Sequence, residues 1–421
     1  MIARKISIFD YSNEIAQILR KAEVRFTNCE CLFHNGESYP MPRGASIATL
    51  WYAEPSLVKE LEWLGFNLTS LANTHATDYG PSGLLSTIHN LEAAGIVCAG
   101  AGRDLDEARE SKFLETPNGR VALIAACWDT WHTAWERASN GRSGIPPRPG
   151  MNLLRVKSDF TVSKEKLDTI REIIHDIGAD APSGKKKDSK ENGLDFLDHK
   201  FRVGVEIGTF RKVVEKDLDD LKQTIEDARK FADWVLVSFH SHNSSPIGLE
   251  YPSELIRSIA HACIDSGVDA FLGHGPHILR GIEVYKRRPI FYSLGNFIAH
   301  NNFVKKVTAD QYEFYDLGDG AKPWDFYHAR EGIIPPAEAP YSNWWYESVI
   351  ASFELGEEGI ADLKLYPITL GKGDVPETER GNPRLADQKV GQKIIDGLNK
   401  MSREFRAQIS LDANGVGKLK D

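Results

Sequence analysis

Apolar residues along this chain switch repeatedly between a helical and a strand period. Within SNEIAQILRKA, Ile15, Ile18, Leu19 and Ala22 recur at helical spacing, and Ser12 stands where an N-cap would. Val24 to Asn28 then alternates as a strand does. Glu54 to Leu64 carries proline near its start and is stopped by Gly65, which predicts a helix, and Asn67 to Leu71 predicts a short strand. The alternation continues with a helix from Gly83 to Ala94 that ends at Gly95, and strands at Ile96 to Ala99 and Val121 to Cys127. After these come a helix at Asp217 to Phe231, a strand at Trp234 to Phe239, a helix at Ser253 to Asp265 and a strand at Ala270 to Leu272. Strands alternating with helices predict an α/β layered fold with a mainly parallel sheet, and function in such sheets gathers at the loops after the strand carboxyl ends.

Two stretches break the pattern. GKKKDSKENG, from Gly184 to Gly193, is lysine-rich and aperiodic, which predicts a solvated insertion. His300 to Ser342 mixes Asp, Pro and aromatics without a period, which predicts an ordered lid or surface excursion. Ser348 to Phe353 and Ala361 to Leu365 predict a hairpin, and Leu385 to Ile409 a terminal amphipathic helix. The expected organisation is a core over 1–300 with an insertion around 184–193, a loop or lid over 301–345, and 346–421 completing the same domain.

Composition narrows the class. The 421 residues are 41% hydrophobic and 26% charged, which fits a globular protein and excludes global disorder. A net charge of -9 argues against a nucleic-acid backbone as the main ligand. The five cysteines, Cys29, Cys31, Cys98, Cys127 and Cys263, are sparse and sit mostly in apolar stretches, so they read as buried thiols of a reducing compartment. No window approaches about 18 uninterrupted apolar residues and MIARKISIFDYSNE has no secretory pattern, so the expectation is a cytoplasmic chain without a membrane anchor.

Three segments carry candidate chemistry. SLANTHATDYG runs from a strand into a turn presenting Asn73, Thr74, His75 and Asp78 just before a helix N-terminus. A turn asparagine can give a carbonyl oxygen to a metal and a neighbouring histidine can donate a proton, or the same residues can simply cap the turn. VLVSFHSHNSS ends an apolar strand in His240 and His242, which a period of two puts on one side. FLGHGPHILRGIEVYKRRPIFYSLGNF places His274 and His277 among glycines that let the backbone turn sharply, and paired neutral imidazoles suit zinc, iron or manganese.

Together these segments resemble the signatures of the poly-γ-glutamate capsule-biosynthesis (CapA) family. ANTHATDYG is similar to the family's ANNHALDYG, FTNCE to its NLE segment, and the GHGPH run with IEVYK and PIFYSLGNF to its C-terminal signature. RPGMNLLR, from Arg148 to Arg155, resembles a segment of one branch. The resemblance implies a four-layer α-β-β-α sandwich of the calcineurin-like metallophosphoesterase type and a site for two divalent metal ions, manganese, iron or zinc. It implies Glu30, Asn73, Thr74, His240, His242, His274 and His277 at the metal site, His75 as proton donor and Asn296 beside it. Arg148, Arg155 and Arg280 are candidates for gripping an anionic substrate, because a guanidinium fork matches carboxylate and phosphate. The chain departs from the pattern in two places. The strand ending in Gly-Asp that precedes the segment matched by ARKIS is missing, and Thr74 stands where the family has Asn directly before His.

The function implied is a metal-dependent hydrolase of phosphoesters or of an acidic, amide-linked substrate such as poly-γ-glutamate. The alternative, from another class, is a non-catalytic protein that binds an acidic polymer in support of capsule biosynthesis. The expected partner is a small-molecule or acidic-polymer substrate and not nucleic acid.

Overall fold

The computed structural model describes all residues except 1, 42–49, 129–135, 179–191, 197–198, 301–302, 304, 334–343, 372–374 and 421. The lysine-rich stretch at 184–193 falls almost wholly outside the described residues. The chain divides into two compact units, one of Met1–Leu153 with Leu221–Asp421 and one of Leu154–Asp220.

The larger unit opens with helix α1 (Asp10–Leu19), which buries Ile15, Ala16 and Leu19. Ser12 is not its cap: Phe9 is, without a side-chain bond, and Ser12 lies buried inside the first turn. Strand β1 (Phe26–Asn28), helix α2 (Val58–Leu64), strand β2 (Leu68–Ser70), helix α3 (Gly80–Ala93) and strand β3 (Val97–Ala99) follow. Gly65 ends α2 at φ 92°, the left-handed conformation glycine adopts without a Cβ penalty. The three strands form a parallel sheet in the order β1–β2–β3. Strands β4 (Lys112–Thr116) and β5 (Gly119–Cys127) then form an antiparallel pair, and every side chain from Val121 to Cys127 is buried.

The smaller unit contains β6 (Val156–Val162), α4 (Lys164–Asp176), β7 (Gly193–Phe196), β8 (His199–Val203) and β9 (Gly208–Val213). Its sheet runs β7–β8–β6–β9. Asp217, 1% exposed, accepts bonds from the Arg155 backbone N–H and from the Nε and Nη2 of the same guanidinium, at 2.8 to 2.9 Å.

Helix α5 (Glu215–Arg229) leads to β10 (Trp234–His240), α6 (Glu254–Asp265), β11 (Ala270–His274) and the antiparallel pair β12 (Ile282–Tyr285) and β13 (Arg288–Phe291). These strands join β4 and β5 in a six-stranded sheet of order β12–β13–β11–β10–β5–β4, parallel from β13 through β5. The α/β class expected from the alternation is therefore present, with its parallel centre built from near-continuous apolar strands, as burial on both faces requires. Asp269, 1% exposed, closes the lower end of that centre: it accepts the Val235 N–H at 2.8 Å and pairs with Arg229 and Arg288.

The stretch expected to be aperiodic contains two helices, α7 (Ala309–Phe314) and α8 (Pro323–Ile333). The hairpin is present as β14 (Glu347–Gly356) and β15 (Gly359–Thr369). The terminal helix, α9 (Gln388–Met401), is shorter than expected. Asp387 caps it by accepting the Val390 N–H, and Ile409 belongs instead to β16 (Ile409–Leu411), which pairs with β17 (Gly417–Leu419).

Among the described residues α1 is the first element. Among the described residues β1 pairs only with β2, and β14 only with β15. Both line a cavity of about 850 Å³, together with Leu236, Leu272 and, at its polar end, Glu30 and His274. The space opens to solvent past Lys21, Glu23 and Asn118.

Candidate metal centre

The site lies at the carboxyl ends of β10 and β11. These strands pair in parallel with His240 directly opposite His274, so both imidazoles leave the sheet on the same side at the same level. Their Nδ1 atoms are 2.8 Å apart. Glu30, from the segment after β1, brings Oε1 to 3.3 Å from His240 Nδ1. One ligand atom from each of Glu30, His240 and His274 lies within 4.8 Å of the others. A carboxylate oxygen and two imidazole nitrogens converging in this way fit a borderline divalent cation by donor chemistry and by spacing.

Beyond β11 the chain turns sharply. Gly275 adopts φ 125°, and a Cβ there would come within 2.7 Å of the Ser241 backbone, so only glycine lets this turn lie against the end of β10. The turn delivers His277, itself at φ 61°, with Nδ1 2.9 Å from Asn296 Oδ1 and 3.8 Å from Glu30 Oε2. Asn296 is fixed by donating to the carbonyls of His277 and Trp345. His242 fills the space between, its ring 5.2 Å from that of His240 and 5.4 Å from that of His277. Thr74 Oγ1 stands 3.5 Å from His242 Nε2.

Burial disfavours the protonated form of His242, His274 and His277. Burial pushes His242 down to about 3, helped by the neighbouring His277, and pushes His274 down to about 4 against the attraction of Glu30. Burial likewise lowers His277. For Glu30, burial alone would raise the carboxyl, but the coulombic pull of His277, His75 and His242, exerted while those rings carry a proton, outweighs it and holds the group below its ordinary value. Neutral imidazole and ionised carboxylate are the forms that bind a cation.

His75 approaches from the turn after β2. Its Nδ1 is 2.7 Å from Asp78 Oδ2, and its ring stacks on Trp51 at 4.1 Å. The buried carboxylate also accepts the Trp51 backbone N–H at 2.7 Å, so it ties the His75 ring to the Trp51 backbone. Trp51 in turn meets His277 edge-on, with ring centres 6.5 Å apart. Asn73 acts as a strut between segments. Its Nδ2 donates to the Cys29 carbonyl at 2.7 Å, and its Oδ1 accepts the His75 N–H at 3.1 Å.

The three arginines diverge. Arg280 is 1% exposed and donates to the backbone carbonyls of Leu249 and His242, so it braces the β10 terminus from behind. Arg148 is exposed and donates to the Arg137 carbonyl, and Arg155 belongs to the smaller unit, on Asp217. The structure thus brings Glu30, Thr74, His240, His242, His274, His277 and Asn296 together, with His75 joined through Trp51. Sequence reasoning missed Trp51, Trp345 and Ser238. Trp345 stacks on His277 at 4.7 Å, and Ser238 Oγ lies 2.7 Å from His274 Nε2. Ser238 alone left a signal, as a polar residue two positions before His240 in an apolar strand.

All five cysteines are buried free thiols, as expected. Burial pushes Cys29 up to about 11 and Cys98 and Cys263 to about 12, which leaves them unreactive.

Comparison with known proteins places the whole arrangement in one family. The model described as "Bacterial capsule synthesis protein PGA_cap" matches residues 3–301, which includes every histidine of the site. Protein y4sH of Sinorhizobium fredii is 33% identical over 410 residues, 95% of this chain and 86% of the relative. This chain belongs to the PGA_cap family. Another relative of the family, the capsule biosynthesis protein CapA of Bacillus anthracis, is 25% identical over 271 residues, 63% of this chain and 48% of that protein. Among solved structures, a phosphatase of Mycoplasma pneumoniae aligns at a TM-score of 0.33 with 9% identity, over 85% of this chain and 80% of its own, a likeness that carries no functional inference. Among the described residues no helix is long and apolar enough to cross a membrane.

Proposed function

We propose that this PGA_cap protein is a metal-dependent hydrolase acting on a phosphoester or on an acidic, amide-linked polymer such as poly-γ-glutamate. The observation that carries the reading is the convergence of Glu30, His240 and His274 within ligand range of one another. These three would hold one divalent cation, and a second would draw on His242, His277 and Thr74. A bound divalent cation supplies Lewis acidity toward water and toward an oxygen of the substrate.

The remaining roles follow from the protein's own groups. Asp78 holds the Nδ1 side of His75, which leaves Nε2 to carry a proton to a leaving group. Trp51 covers the opposite face of that ring and restricts water around it. Asn73 ties the His75 turn to the segment that carries Glu30, so acid and ligand keep their spacing. Arg280 keeps the His242 backbone in place. The name of the relative from Bacillus anthracis, a capsule biosynthesis protein, supports a capsular polymer as the substrate class.

The test combines metal analysis of purified protein with a chromogenic phosphodiester assay in added manganese. Stoichiometric metal with hydrolysis supports the reading; protein that takes up no metal and shows no turnover overturns it. The donor set favours a second reading, binding of acidic polymer without turnover. Among the described residues only one carboxylate and two imidazoles meet within ligand range, and Thr74 stands where an amide is expected. Polymer binding that persists in chelator, without turnover, would select it.

A further inference from the structure

We propose that Ser238 is a positioning residue that holds the proton of neutral His274 on Nε2 and leaves Nδ1 unprotonated toward the cluster. The inference rests on the metal reading above and deepens it. Strand periodicity puts Trp234, Leu236, Ser238 and His240 on one face of β10. Leu236 and Ser238 there are buried, Ser238 completely, and a buried hydroxyl in an apolar strand is costly unless it is bonded. Its Oγ lies 2.7 Å from His274 Nε2 on the adjoining strand. The other nitrogen, Nδ1, is the one 2.8 Å from His240 Nδ1 in the cluster with Glu30.

A neutral imidazole has one protonated and one unprotonated nitrogen, and a cation takes only the second. When Ser238 Oγ accepts the Nε2–H, the lone pair sits on Nδ1 and points at Glu30 and His240. Without that acceptor the proton is free to occupy Nδ1, where it blocks the ligand position, and the ring is free to rotate. Asn296 stands in the same relation to His277, with its Oδ1 2.9 Å from Nδ1, but Asn296 is held by two backbone carbonyls and tolerates less change. Ser238 offers the cleaner test because its removal deletes one oxygen and leaves the strand intact.

Manganese binding is measured by titration calorimetry on wild type, Ser238→Ala and Ser238→Thr. In parallel, ring-nitrogen NMR of metal-free protein labelled at histidine, with His274 identified by its loss in His274→Asn, reports the tautomer. The expected result is about 10- to 100-fold weaker binding in Ser238→Ala, the range for loss of an outer-sphere partner. The NMR should show a larger Nδ1-protonated fraction of His274 in the same variant. Ser238→Thr, which keeps the hydroxyl, should restore both. Unchanged affinity with an unchanged tautomer overturns the proposal, and so does weakened affinity with an unchanged tautomer, which would make Ser238 a packing residue. Should wild type itself take no manganese, the metal reading fails, while the NMR of Ser238→Ala still decides the role of Ser238.

Discussion

The two sheets that carry the most strands outside the C-terminal hairpin differ in how they handle polar groups. In the six-stranded sheet, β5 and β10 are buried almost end to end, and polar groups are admitted only where each finds a partner: Asp269 at one end, Ser238, His240 and His274 at the other. In the sheet of the smaller unit, β9 is exposed except at Val213, and β6 and β8 are at best half-buried. One buried carboxylate, Asp217, supplies its polar anchor. The contrast teaches that fixed chemistry needs an interior that over-determines each side chain, whereas a wet sheet can vary freely around one anchor.

The contrast can be broken in steps. His274→Ala should abolish the first bound metal equivalent, read by elemental analysis, and retention of full metal content would remove His274 from the ligand set. Asp269→Ala should cost about 3 kcal/mol in chemical denaturation, because it strips a buried backbone N–H and two guanidinium groups of their shared acceptor. Asp217→Ala should cost about 2 kcal/mol and leave metal content untouched. A loss larger than that of Asp269→Ala would contradict the ranking of the two sheets.

Acidity sharpens the comparison further. His242 and His300 are pushed down to about 3 and His274 to about 4, each chiefly by burial. Below their ordinary value of 6.5 these groups gain a proton in the unfolded chain but not in the fold, so the unfolded state binds more protons. Their contribution is complete above about pH 6.5 and is lost progressively as pH falls toward about 3. Metal-free protein should therefore lose several degrees of melting temperature across that window, and a flat profile would place these rings in contact with water. The smallest effect belongs to the wet sheet: Phe210→Ala, at a side chain 43% exposed, should shift stability by under about 0.5 kcal/mol.

The parts of the fold that were legible in the sequence are those where burial writes a strong period. The strand at Trp234 and the helices stopped by Gly65 and Gly95 stand within four residues of their expected limits, because apolar runs mark their course and glycine stops mark the helix ends. The sheet of the smaller unit was not anticipated. Segments such as HKFRV and GTFRKV bury too little to alternate. Helices α7 and α8 escaped notice because their aromatics follow no single face. At the site, histidines among glycines were readable as a convergence, whereas Trp51 and Trp345 reach it from segments with no local mark of chemistry. Asn73 shows the limit of reading a residue type: its amide is tied to the Cys29 carbonyl and the His75 N–H, contacts that only the assembled turn reveals.

His240 and His274 sit on opposed residues of neighbouring strands, and a slip of one position in either strand would turn its ring to the far side of the sheet. Capture of an ion by this pair, as proposed above, would thus be a proofreading signal for assembly. A refolding chain could acquire it only after β10 and β11 had zipped in the correct alignment, which would make a coloured ion such as cobalt a clock for that event.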